Sequence, residues 1–74
     1  MTSPGELDPL VRELIYIAVS VTNGCEYCIA SHTAAASAKG MSETMFGELM
    51  VIAVTANMTN CLANGYRIPI DEKF

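Results

Sequence analysis

Positive charge is scarce in this chain. Its 74 residues include four fixed cations, Arg12, Lys39, Arg67 and Lys73, scattered along the sequence, and the formal net charge is −4. Nucleic-acid binding needs a clustered basic face, and so does docking on an anionic membrane surface. Neither is expected here. Long apolar runs are missing as well. The most apolar stretch, 49–56 (LMVIAVTA), falls far short of the roughly 20 residues a spanning helix needs, so no membrane insertion is expected. The N-terminal MTSPGELDP has neither a basic region nor an apolar core and does not read as a secretory signal. Cysteine is odd in number, at three, which argues against a secreted disulfide scaffold. A reducing, cytoplasmic setting is expected instead. There a close cysteine pair is more often catalytic or metal-binding than structural. Strand signals are also lacking, because the β-branched residues sit inside helical periods.

What the chain does have is apolar surface. Apolar residues make up 51% of it, with a mean hydropathy of +0.34. A chain this short buries only about 60% of the surface its unfolded form exposes. A lone monomer could not cover so much apolar area. Self-association is the simplest expectation, since symmetric homo-oligomers are the commonest assemblies.

The periodicity predicts an all-α chain of three helices: a lead over 1–8, a helical domain over 9–65 and a tail over 66–74. Asp8-Pro9 reads as an N-cap followed by proline at the first helical position. Leu10, Leu14, Ile17 and Val21 repeat with helical spacing, and Val11, Ile15, Ala18 and Val19 widen the stripe. A helix buried on most of its circumference is expected to about Thr22. Its polar line is Glu13, Tyr16 and Ser20, and Asn23-Gly24 ends it. The second helix starts near Cys25 and runs to about Lys39. It is rich in alanine, a strong helix former, and Gly40 stops it. Ser42 caps the third, which is expected from Glu43 to about Ala63 and closed by Asn64-Gly65. Gly47 inside it suggests a kink or a close contact. Cys61 reads as core, and Ile68 and Ile70 are expected to pack the tail.

The chemistry gathers in NGCEYCIASH, residues 23–32, which holds two of the cysteines and the only histidine. Cys25 and Cys28 lie one turn apart at a helix start, and His32 follows on the same face. Unpaired N–H groups there favour a thiolate, and cysteines of Cys-x-x-Cys motifs at such ends ionise below the ordinary ~8.5. His32 is placed to take a proton from Cys28. A histidine base is commonly oriented by a carboxylate, and Glu13, on the polar line of an otherwise apolar helix, is the candidate. Zinc is the main chemical rival, with Cys25, Cys28 and His32 as ligands and Glu13 or Cys61 as the fourth. A second ligand pair is missing, however. A c-type haem needs Cys-x-x-Cys-His, and Ile29 stands where that histidine would be. A thioredoxin-like site needs a preceding strand. No cofactor or metal is assigned.

The pattern Glu-x11-Cys-x2-Cys-x3-His, from Glu13 to His32, sits within RELIYIAVSVTNGCEYCIASHTAAASAKGMS. It resembles the alkylhydroperoxidase D-like (AhpD-like) core of the carboxymuconolactone decarboxylase superfamily. The likeness spans roughly Leu7 to Ile70. It implies an all-helical fold, obligate oligomers (often hexamers built as trimers of dimers) and thiol peroxidase chemistry on organic hydroperoxides. It also implies roles. Cys28 is oxidised by the peroxide, Cys25 resolves it as a Cys25–Cys28 disulfide, and Glu13 and His32 relay protons. The reductant would be a small dithiol or a lipoyl group. Characterised members can carry a histidine between the cysteines, where this chain has Tyr27. They often have further helices upstream. A zinc-binding or structural module, and a non-redox decarboxylase-type enzyme, are the competing readings.

Overall fold

The structure, a computed structural model, describes residues 5–71. The outer ends of the expected lead and tail lie outside those residues. Three helices form in the expected order: α1 (Pro9–Asn23), α2 (Glu26–Ala38) and α3 (Glu43–Tyr66), with no strand among the described residues. The caps follow the sequence signals. Leu10 N–H donates to Asp8 Oδ1 at 2.8 Å, with Pro9 next to the cap. Met45 N–H donates to Ser42 Oγ at 3.1 Å. Gly24 takes the left-handed conformation, φ 72°, that ends α1. That φ is readily reached only without a Cβ, and the turn leads directly into Cys25.

α1 is the centre of the arrangement. It packs against α2 and, more sparsely, α3, while α2 and α3 share no packed interface among the described residues. At the α1–α2 seam Ala36 and Ile17 are both fully buried, and the small side chain of Ala36 lets the two helices approach closely there. The buried positions of α1 are Glu13, Ile17 and Ser20, one helical line at i, i+4, i+7. Thus the polar line of α1 faces inward, onto α2. The expected burial around most of α1 does not occur, since Val11, Ile15 and Val19 are all exposed. Among the described residues only two helices neighbour it, and α3 packs on it sparsely.

α3 departs furthest from expectation. It continues through Asn64-Gly65 to Tyr66 and ends on Arg67 at φ 54°. With 24 residues it is about 36 Å long at 1.5 Å per residue. Asn57 Nδ2 donates to Thr22 Oγ1 at 3.2 Å, tying α3 to the end of α1. Elsewhere the two helices leave an apolar crevice lined by residues including Val11, Ile15, Met45, Leu49 and Ile52. Ala53 is the one buried residue of α3. Cys61 is exposed, contrary to the core assignment, because none of the described residues covers that part of the helix. A Cβ on Gly47 would meet nothing among the described residues, so no close contact forms there within them. Ile68 and Ile70 are exposed and do not anchor the tail. By length and composition alone α3 also meets the criterion for a membrane span. Run length understated this, because the scattered Thr, Asn and Gly residues lower local hydropathy without adding charge.

The result is an elongated shape, 41 × 26 × 21 Å, with a radius of gyration of 14.8 Å. A compact chain of this length would have about 11 Å. The accessible surface is 5895 Å², against about 4,400 Å² for a folded monomer of this mass.

Candidate active site

The site is built where α1 turns into α2. Gly24 reverses the chain, so α2 starts beside the end of α1 and returns along it. Cys25 is the N-cap of α2, and its sulfur accepts from Cys28 N–H at 3.2 Å. Cys25 and Cys28 are joined as a disulfide, with Cα atoms 5.3 Å apart. Both are half-buried, while Tyr27 between them is exposed. The cysteine pair therefore sits at the molecular surface, within reach of molecules in solution.

One turn beyond Cys28, His32 points back at α1. Its Nδ1 lies 2.7 Å from Glu13 Oε2. A carboxylate only accepts, so this contact assigns the ring proton to Nδ1 and leaves the lone pair on Nε2. Glu13 is 7% exposed. A buried carboxylate requires partners, and it has two: His32, and Lys39 Nζ at 3.9 Å from Oε1. Tyr16 completes the cluster. Its ring stacks on the imidazole of His32 with centroids 3.9 Å apart and planes at 21°.

The structure brings Glu13 beside His32 and joins Cys25 to Cys28, the four residues named from the sequence. Neither Lys39 nor Tyr16 is among the candidate site residues of the sequence reading. Both carried a signal. Lys39 is seven residues after His32, two turns along the same face of α2, and Tyr16 is one turn after Glu13. With the cysteines joined, no group of three or more His, Cys, Asp or Glu side chains among the described residues could hold a metal ion.

Comparison with known proteins places this geometry. The family model for the carboxymuconolactone decarboxylase family matches residues 1–68. This chain belongs to the carboxymuconolactone decarboxylase family. Within it, the chain is AhpD-like. The crystal structure of the alkylhydroperoxidase AhpD core from Rhodospirillum rubrum ATCC 11170 is 51% identical and superposes with a TM-score of 0.95. The match covers 100% of this chain and 54% of that one, so this chain spans about half the length of its structural relative. No curated protein matches it. For a carboxymuconolactone decarboxylase family member with an AhpD-like core, a disulfide-forming cysteine pair beside a Glu–His couple fits an oxidoreductase reading.

Proposed function

We propose that this chain is a thiol-dependent peroxidase that reduces organic hydroperoxides through Cys25 and Cys28. The observation that carries the reading is the Cys25–Cys28 disulfide one turn from a histidine already coupled to a buried carboxylate. In the reduced protein, the Cys28 thiolate attacks the distal oxygen of ROOH. The O–O bond breaks, Cys28 becomes a sulfenic acid, and the alkoxide leaves as ROH with a proton from His32. Cys25 then attacks the sulfenic sulfur. A disulfide forms and water departs. A dithiol, either small or lipoyl-type, restores both thiols by exchange and is itself oxidised to a disulfide.

The local geometry supports this division of labour. His32 lies four residues after Cys28, on its face of α2, so Nε2 is the nitrogen left to serve that sulfur. The Cys25 sulfur instead receives the Cys28 N–H. A hydrogen bond to sulfur at a helix start stabilises a departing thiolate, which suits the resolving cysteine during reduction. No cofactor enters these steps. The reaction is assigned to a cytoplasmic homo-oligomer, a hexamer by family likeness, with no nucleic-acid or membrane partner.

Replacing Cys28 with serine tests the reading. It should abolish hydroperoxide turnover with a dithiol reductant, and unchanged turnover would end it. Activity surviving replacement of both cysteines would instead favour the non-redox chemistry of the family. Zinc bound in stoichiometric amount by the reduced protein, and lost in His32→Ala, would favour a zinc module.

A further inference from the structure

We propose that Tyr16 is a positioning residue. Its ring holds the His32 imidazole in the orientation that gives Nδ1 to Glu13 and keeps Nε2 free for proton exchange. This rests on the relay just described, but the ring orientation can be measured independently of any activity.

The argument begins with the freedom of an imidazole. A histidine ring turns about a broad, roughly two-fold torsion. One hydrogen bond to Glu13 does not by itself lock the ring, because turning it over puts Cδ2–H where Nδ1 was, breaks that bond, and leaves Nε2 to compete for the carboxylate after a small tilt. On α2 the neighbours that share the face of His32 are Cys28 and Ile29 on one side and the small Ala35 and Ala36 on the other, and none of them is a flat group that could cover the ring. Tyr16 supplies that grip. Its stack at 3.9 Å and 21° covers one imidazole face across the helix seam. Glu13 and Tyr16 are one turn apart on α1, so a single rigid helix sets both the edge and the face of His32. A flip about that torsion would swing the imidazole edge into the tyrosine face. A stacked π-face is also attractive to an imidazolium while the ring holds its second proton. None of this uses the phenol hydroxyl.

His32 is the only histidine in the chain, so its ring nitrogens can be read without assignment ambiguity. Long-range proton–nitrogen NMR of the oxidised wild-type protein at neutral pH or above should show one protonated Nδ1 and one unprotonated Nε2, well separated in shift. In Tyr16→Leu, which keeps apolar bulk but removes the stack, the two shifts should move toward each other as tautomers exchange. The rate at which an organic hydroperoxide consumes the reduced thiols should fall about tenfold, with KM for the dithiol unchanged. Tyr16→Phe should keep both the nitrogen pattern and the rate. Averaged or Nε2-protonated tautomers in the wild type overturn the proposal without any variant. So does a Tyr16→Leu protein with the wild-type nitrogen pattern, or with a rate within twofold of wild type. Failure of the peroxidase reading would appear separately, as an inactive wild type whose His32 pattern is intact.

Discussion

Glu13 touches two nitrogen donors, His32 of α2 through Oε2 and Lys39 at the C-cap of α2 through Oε1, and the two contacts are of unequal weight. The His32 contact is short and half-buried. The Lys39 contact is long, on a side chain that is 40% exposed, and surface pairs of this kind contribute little. Glu13→Gln is therefore expected to slow peroxide-driven thiol loss by about 100-fold, the lower range for acid–base groups. Its amide can present either a donor or an acceptor to the ring, so the His32 tautomer is no longer enforced. Lys39→Met is expected to stay within about threefold of wild type. Single-turnover thiol titration, with circular dichroism to confirm helicity, separates the two. Glu13, Cys25, Cys28 and His32 were all legible in the sequence because helical spacing puts them on facing lines. The Tyr16 stack was not, because an aromatic on a helix face has many possible neighbours until the partner helix is in place.

The helices owe their boundaries to local chemistry, and their faces to what lies beside them. Asp8, Gly24 and Ser42 cap as their residue types require. Gly24 carries the most consequence, since it directs the chain into Cys25. Gly24→Ala, forced to hold φ 72°, should destabilise the fold by about 1 kcal/mol. Denaturant unfolding would show this as a lower midpoint. Gly47 is the contrasting case. It sits at ordinary helical φ with open space around it, so Gly47→Ala should stabilise α3 by up to about 1 kcal/mol. A lower midpoint would instead place another copy against that backbone. Gly65 failed as a stop signal for a related reason. Glycine ends a helix only where the chain takes a left-handed turn, and here that turn falls at Arg67.

At the level of the whole molecule, the apolar residues lie on the wrong side for a monomer. Val51, Ile52, Val54, Met58 and Leu62 of α3 are each at least half exposed. The chain shows roughly 1,500 Å² more surface than its mass predicts, compared with about 800 Å² per partner for a standard stable interface. An assembly larger than a dimer is expected by light scattering at micromolar concentration. Val54→Glu with Met58→Lys should break it into smaller species, because charges on an apolar interface core are strongly unfavourable. A wild-type monomer in solution, or recovery in the membrane fraction, would sink this expectation.

Sequence alone determined the three helices, the caps at Asp8, Gly24 and Ser42, and the facing lines that carry Glu13, Cys25, Cys28 and His32. These depend on interactions within a few residues, where spacing is geometry. Only tertiary structure decided which face of α1 is inside, how His32 is held, and that α3 is left largely uncovered. Those outcomes depend on which helices meet, and hydrophobic periodicity records that a face needs a partner without recording whether that partner belongs to the same chain.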